Sequence, residues 1–259
     1  MRSLRSIILV FLALVACLTF VSAETTTDHE SFIYGQSELG RNLICHRVGT
    51  IDVDTSILLV FGLHGFEDAY NHDGEVLQLI AESVIAHYAS HPELLDGFCL
   101  YIVPTANPDG LLAGKSEYGF GRCNAAGLDI NRDFPVKWTQ SSNSRNRTGA
   151  APFSTAEARA IRDLVESINP TYGVDVHGWI HATYGDGKMA EVFAKPFGFT
   201  VRKTSSGGML CQWLSEVTEE SIMIELPASP NTGKYITTNC EKLIQGINAW
   251  LAYLKPLSD

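Results

Sequence analysis

The hydrophobic positions of this chain fall into short continuous runs and longer stretches with helical spacing. Each short run is bounded by turn residues and is too short to form a helix, which predicts a buried strand. The four runs cover residues 57–63, 99–103, 172–176 and 222–226.

Three longer stretches predict helices, because their apolar residues recur every three or four positions. They cover residues 75–87, 156–168 and 238–254. Ser154 with Glu157, and Thr238 with Glu241, have the spacing of capping boxes and predict where the second and third of these helices begin. Asn169, followed by proline, predicts the end of the second.

Alternation of strands with helices predicts the fold class. The strand sequences are apolar at nearly every position, as expected for strands that are buried on both sides. The chain is therefore predicted to be a single α/β domain with a mixed, mostly parallel β-sheet and helices on both faces. In such folds, ligands bind at the carboxyl ends of the strands.

The first residues have the layout of a secretory signal peptide. Arg2 and Arg5 precede an apolar run over residues 7–15, and small residues follow up to Ala23. A membrane span needs about 20 apolar residues, which this run does not reach. We expect residues 1–23 to be a signal peptide and residues 24–259 to be the catalytic domain, secreted or held at the cell envelope.

A second way of processing the leader stays open. Residues 14–17 resemble a bacterial lipobox, in which Cys17 would carry a lipid anchor. The apolar Leu18 and Phe20 that follow favour simple cleavage near Ala23.

Charge and cysteine content narrow the function classes. The net charge of −10 repels nucleic acids and anionic membrane surfaces, so neither is expected as a partner. Five cysteines follow the leader, and none has the spacing of a metal-binding motif. Their pairing cannot be derived from spacing, and buried thiols are as good an interpretation as disulfides.

Two predicted strands end in histidines that could bind a metal. His64 and Glu67 follow the first strand, and His177 follows the strand at 172–176. Two histidines and one glutamate are an established ligand set for catalytic zinc. A histidine at a strand end is more often structural, however, and His72 is an alternative ligand.

Glu225 lies within the last apolar strand. Burial of a glutamate is costly unless the carboxylate is paired or used. It either forms an ion pair with a basic residue or accepts a proton from water activated beside a metal.

Seven segments occur in the order and context found in the zinc metallocarboxypeptidase family, which includes carboxypeptidase A. They are Gly35-x-Ser37-x-x-Gly40-Arg41, His64-x-x-Glu67, Asn107-Pro108-Asp109-Gly110, Arg122-x-Asn124-x-x-Gly127-x-Asp129-x-Asn131-Arg132-x-Phe134, Phe153-Ser154-x-x-Glu157, His177, and Ser206-Gly207-Gly208 followed by Glu225. This resemblance spans nearly the whole chain after the leader.

The resemblance implies Zn²⁺ as cofactor, a peptide as substrate and hydrolysis of the C-terminal peptide bond. It implies that His64, Glu67 and His177 are the zinc ligands and that Glu225 is the general base. It further implies that Arg122 polarises the scissile carbonyl, and that Asn131 and Arg132 hold the terminal carboxylate.

One position of the substrate pocket departs from the family's pattern. Many members carry a mobile tyrosine before the Ser-Gly-Gly segment, whereas this chain has Lys203 at the corresponding spacing. Lys203 either binds the carboxylate of the substrate or is solvated. Tyr118 or Tyr184 could supply the hydroxyl instead. Met209 and Leu210 fall where the family binds the terminal side chain, and neither offers an anionic partner for a basic side chain.

The compact chain is most similar to the bacterial branch of murein peptide amidases and γ-D-glutamyl-diaminopimelate peptidases. This similarity implies a muropeptide substrate, cleaved between γ-D-glutamate and a diamino acid. The alternatives are a zinc deacylase of the aspartoacylase and succinylglutamate desuccinylase type, or a non-catalytic binder of peptide carboxylates. The oligomeric state is left open.

Overall fold

The structure is a computed structural model that describes residues 28–114, 120–227 and 232–255. The predicted signal peptide, Cys17 and Tyr118 lie outside these residues. Within these residues, no helix has the length and apolarity needed to cross a membrane.

The described residues form eight strands and six α-helices. The strands are β1 (Asp28–Gln36), β2 (Asn42–Gly49), β3 (Ser56–Phe61), β4 (Cys99–Val103), β5 (Tyr172–Gly178), β6 (Ala182–Tyr184), β7 (Thr200–Arg202) and β8 (Glu220–Leu226). The helices are α1 (Asp73–Ser90), α2 (Pro108–Ala113), α3 (Ala156–Ile168), α4 (Lys188–Ala194), α5 (Leu210–Val217) and α6 (Thr232–Leu254).

All eight strands join one sheet in the order β1-β2-β4-β3-β5-β8-β6-β7. The centre of the sheet is parallel, since β3 pairs with β4 and β5, and β5 pairs with β8. β1 pairs antiparallel with β2, β2 with β4, and β6 with β8, whereas β6 and β7 are parallel. The predicted α/β fold with a mixed, mostly parallel sheet is therefore confirmed.

Two apolar cores lie on opposite faces of the sheet. Alternate residues of β3 point to opposite sides: Leu59 packs in the core formed with α1, α4 and α6, and Leu58 packs in the core formed with α3 and α5. Every residue of β3 is buried. This burial on both sides explains why the strand sequence is continuously apolar rather than alternating.

Two predicted capping boxes do not form. The cap of α3 is Thr155, whose hydroxyl accepts from the Ala158 N–H, whereas the Ser154 hydroxyl donates to Asp133. Helix α6 begins at Thr232 rather than Thr238. The Thr238 hydroxyl instead donates to a backbone carbonyl one turn earlier, inside the helix. At α3 the contact with Asp133 engages the serine that was predicted to cap the helix. At α6 the helix begins before the predicted cap, so Thr238 lies inside it.

The cysteines that the structure describes are buried. Cys45, Cys99, Cys211 and Cys240 form no disulfide among the described residues. The Cys123 thiol donates to the carbonyl oxygens of residues 144 and 145. For the first four, the structure matches the interpretation as buried thiols.

Candidate metal centre

Three neighbouring parallel strands bring the predicted ligands to one edge of the sheet. His64 and Glu67 lie in the loop after β3, and His177 lies near the end of β5. Glu225 is the register partner of His177 on β8. The four side chains therefore meet because parallel strands end on the same side.

His64, Glu67 and His177 form a compact buried cluster. Their candidate ligand atoms all lie within 4.8 Å of one another. The two carboxylate oxygens of Glu67 are 3.0 Å from His64 Nδ1 and 2.8 Å from His177 Nδ1. Burial alone would raise the pKa of Glu67, but the two histidines hold it well below its usual value.

The other nitrogen of each histidine is held by a buried carboxylate. His64 Nε2 lies 2.9 Å from Asp129 Oδ1, and His177 Nε2 lies 2.8 Å from Asp175 Oδ1. Both rings therefore direct Nδ1 towards the centre of the cluster. Histidines that bind metals usually donate their second N–H to a carboxylate, and the His64–Asp129 contact has this geometry. The donor set thus fits a zinc ion with two nitrogen ligands and one carboxylate.

The loop that carries His64 and Glu67 is fixed by its backbone. Asp73, at the start of α1, accepts from the Glu67 N–H at 2.7 Å and from the Trp179 indole N–H at 3.0 Å. Gly65 packs against the backbone of α2, where a Cβ would lie only 2.1 Å from the carbonyl carbon of Gly110. This close packing sets the spacing of the two ligands.

Glu225 stands beside the cluster without a hydrogen-bond partner. Its side chain is largely buried, and Oε2 has no partner among the described residues. Burial raises its pKa to about 8; nearby Glu67 and Asp175 add to the shift, while His177 and Arg122 oppose it. A buried carboxylate without a hydrogen-bond partner lowers the stability of the folded protein. Its presence beside the cluster therefore favours a functional role for Glu225, in contact with a bound ligand.

Arg122 lines the same site and is nearly fully buried. Its guanidinium is 3.5 Å from Glu67, 3.5 Å from Asp68 and 4.0 Å from Asp129. Arg145 also pairs with Asp68. Two guanidinium groups therefore share one carboxylate at the rim of the site.

A cleft of about 450 Å³ opens at the cluster. Asn131 and Arg132 line it, together with Trp179, Met209 and Met223. The Asn131 side-chain oxygen accepts from the Leu210 N–H at 2.8 Å, and its amide nitrogen lies 3.0 Å from His177 Nε2. The three predicted metal ligands and four further candidate residues thus line one cleft: His64, Glu67, His177, Arg122, Asn131, Arg132 and Glu225.

Lys203 and Leu210 lie elsewhere. Lys203 lines a neighbouring pocket of about 370 Å³ with Tyr184, Asp186 and Glu216. Leu210 is fully buried in the core beneath the sheet, and the adjacent Met209 faces the cleft in its place. The backbone of Leu210, rather than its side chain, contacts a residue of the site.

Three carboxylates and one arginine of the site were missed by sequence reasoning. Asp175 is two residues before His177 on the same strand, so the alternation of side chains could have placed the two together. No comparable sequence pattern indicates that Asp68 and Asp73 belong to the site. Arg145 lies in the polar segment of residues 139–148, which contains no motif that points to the site.

Comparisons of the sequence find a matching family and several relatives. The family model described as "Zinc carboxypeptidase" matches residues 23–201. Bacteriocin BCN5 of Clostridium perfringens is 32% identical over 235 residues, which are 85% of this chain and 26% of that protein. Murein peptide amidase A of Escherichia coli K12 is 25% identical over 221 residues, 78% of this chain and 81% of that protein.

Solved structures give the same fold. Carboxypeptidase A from Helicoverpa armigera superposes with a TM-score of 0.67 at 20% identity, covering 85% of this chain and 67% of that one. The murein-tripeptide amidase of Escherichia coli O157 superposes with a TM-score of 0.61 at 24% identity, covering 84% and 90%. The chain spans about a quarter of the bacteriocin and most of the amidase.

Proposed function

Because the chain belongs to the zinc carboxypeptidase family, we propose that it removes C-terminal residues from peptides by zinc-dependent hydrolysis. His64, Glu67 and His177 hold the metal. The observation that carries this proposal is the meeting, in one cleft, of that ligand set with an orphaned buried carboxylate, Glu225, and a buried guanidinium, Arg122.

Each residue of the cleft has a task in this reaction. Zinc, when bound, supplies Lewis acidity that polarises a carbonyl and activates water. Glu225 takes the proton of the attacking water on its unpaired oxygen and passes it to the departing amine. Arg122 donates to the carbonyl oxygen as negative charge develops there. Its pairing with Glu67, Asp68 and Asp129 holds it in place before the substrate arrives.

The terminal carboxylate of the substrate binds at Arg132, supported by Asn131. A guanidinium group matches a planar carboxylate with two parallel N–H donors. Arg132 lines the cleft and donates to the backbone carbonyl of Asn131 at 2.6 Å, which restrains its guanidinium group. Binding of the terminal carboxylate at Arg132 selects the end of a peptide over an internal bond.

The substrate is a muropeptide, cleaved between γ-D-glutamate and a diamino acid. The similarity to a murein peptide amidase supports this class. The pocket beside the cleft supports it as well, because Lys203 and Lys137 line it together with Asp186 and Glu216. A diamino acid carries both an amino group and a carboxylate at its far end, and a pocket with both charges suits it.

The site of action follows from the substrate. Residues 1–23 direct export, and the domain of residues 24–259 works outside the cytoplasm, secreted or at the cell envelope, with Cys17 as an alternative point of lipid attachment. Peptidoglycan lies in that compartment, so the leader and the substrate are consistent with each other.

The test uses the zinc-loaded protein and a pool of ordinary peptides, muropeptides and N-acyl amino acids, analysed by mass spectrometry with and without a chelator. Loss of a terminal residue that the chelator prevents supports the proposed reaction. Cleavage confined to the γ-D-glutamyl bond supports the muropeptide substrate. Cleavage of N-acyl amino acids alone favours a deacylase, and binding without cleavage favours a carboxylate-binding protein.

A further inference from the structure

Trp179 connects the two segments that carry the metal ligands. It follows His177 by two residues, after the end of β5, and its indole N–H donates to Asp73 at 3.0 Å. Asp73 begins α1, directly after the loop that carries His64 and Glu67. We propose that Asp73 and Trp179 are positioning residues of the metal centre, so that bound zinc and the indole wall of the cleft stabilise each other. This inference rests on the zinc site of the proposed function.

One buried carboxylate organises the junction. Asp73 has no exposed surface, and its two oxygens accept from three N–H groups. Oδ1 accepts from the backbone of Glu67 at 2.7 Å, and Oδ2 accepts from the backbone of Ala69 at 2.9 Å and from the indole of Trp179. A negative charge is favourable in the first turn of a helix. Trp179 is therefore tied to the carboxylate that also fixes the backbone of a metal ligand.

The same loop contacts the indole a second time. Tyr70 stacks on Trp179, with ring centroids 5.9 Å apart and an angle of 24° between the ring planes. Tyr70 lies between Glu67 and Asp73 in the sequence, so both contacts with the indole come from the segment that carries metal ligands. Trp179 is thus held at its N–H and on one face of its ring, where it lines the cleft.

Besides the pairing of β3 with β5, two links join the loop after β3 to the end of β5. The first is the metal cluster, in which Glu67 lies 2.8 Å from Nδ1 of His177. The second is the contact of Trp179 with Asp73 and Tyr70. A contact that already holds two segments at the separation a ligand needs lowers the cost of ordering them when the ligand binds.

This coupling acts in both directions. If the Trp179 contact strengthens zinc binding by some factor, zinc must strengthen the Trp179 contact by the same factor. The wall that a substrate meets in the cleft is therefore most firmly held in the zinc-loaded protein. The prediction can be checked from either side, and neither measurement depends on turnover.

The first measurement is hydrogen exchange at the indole N–H of Trp179, followed by NMR in the chelated and the zinc-loaded protein. The chain has four tryptophans, and the signal of Trp179 is the one that Trp179→Phe lacks. Zinc should slow this exchange by about 10-fold, the lower end of the effect that partners of metal ligands have on metal affinity. The rate of exchange is used because it reports on the hydrogen bond itself.

The second measurement is the dissociation constant of zinc in variants. Trp179→Phe keeps an aromatic ring beside Tyr70 but removes the N–H, and should raise the dissociation constant by about the same 10-fold. In an Asp73→Ala background, Trp179→Phe should have little further effect, because the contact is already lost. Trp138→Phe is the matched control: Trp138 is half-buried, and its indole N–H has no partner among the described residues.

Unchanged zinc affinity in Trp179→Phe, or exchange at Trp179 that zinc does not slow, would overturn the inference. An equal loss of affinity in Trp138→Phe would overturn it as well. If Asp73→Ala does not fold, the exchange rates and Trp179→Phe decide. A wild type that binds no zinc would refute both this inference and the proposed function. A wild type that shows the coupling but cleaves no peptide would support the inference and refute the proposed hydrolysis alone.

Discussion

The carboxylate of Asp175 lies 2.8 Å from Nε2 of His177, two residues further along the same buried strand. Side chains two positions apart in a strand point to the same face, so the strand itself holds the pair together. Asp175 has no exposed surface. The contact leaves Nδ1 of His177 directed at Glu67, the orientation that a metal ligand needs.

Asp175→Asn should weaken zinc binding by about 10- to 100-fold, because the ring of His177 loses the adjacent carboxylate charge that raises its basicity. The dissociation constant of zinc can be measured by competition with a chromophoric chelator. Asp163→Asn, which alters an exposed carboxylate on α3, is the matched control. Equal zinc affinity in wild type and Asp175→Asn would refute the role.

Glu225→Gln should reduce kcat by about 10²- to 10⁴-fold, the usual contribution of a general base, and leave the zinc content unchanged. Glutamine has the same shape but cannot accept the proton of the attacking water. Turnover and bound metal would be measured on the same preparation. Near-normal turnover would eliminate Glu225 as the base, and a loss of zinc would mean that it belongs to the ligand set.

The stability of the metal-free protein should fall as the pH rises between about 5 and 8. Burial would lower the pKa of His177, but Asp175 and Glu67 raise it well above its usual value. Burial also raises the pKa of Glu225 to about 8. The folded metal-free protein therefore holds more protons than the unfolded chain in this range, and that advantage disappears as they are released.

Zinc binding must displace the proton of His177, so the affinity of the protein for zinc should increase with pH over the same range. The measurement is the Tm of the chelated and the zinc-loaded protein at several pH values. The gap between the two is expected to widen as the pH rises. Glu225→Gln should flatten part of the curve of the chelated protein. A gap that is constant with pH would contradict this account.

Gly65→Ala should lower the free energy of unfolding by about 1–3 kcal/mol or more, as overpacking does. The added Cβ would lie 2.1 Å from the Gly110 carbonyl carbon and 2.2 Å from the Leu111 nitrogen. The loop must shift, so His64 and Glu67 should lose zinc affinity as well. Gly233→Ala, in helix α6, where no atom lies within 4 Å of the new Cβ, should leave the protein at least as resistant to urea and should not change zinc binding.

Local signals predicted the central strands well and the edges of the sheet poorly. The runs that became β3, β4, β5 and β8 are buried on both faces, and continuous apolar sequence is a strong signal. The edge strand β7 is exposed at all three residues and has no such pattern. It exists because it pairs with β6, a contact that the sequence of β7 alone does not encode.

The sequence by itself determined the fold class and the residues available for chemistry, because strand burial and the order of the motifs are properties of the linear chain. Only the tertiary structure decided which of those residues share a cleft. It placed Lys203 in a neighbouring pocket and Leu210 in the core, and it brought Asp175 and Arg145 to the site. The physical reason is that the site forms from strands and loops far apart in the sequence, whose approach is set by sheet order and packing.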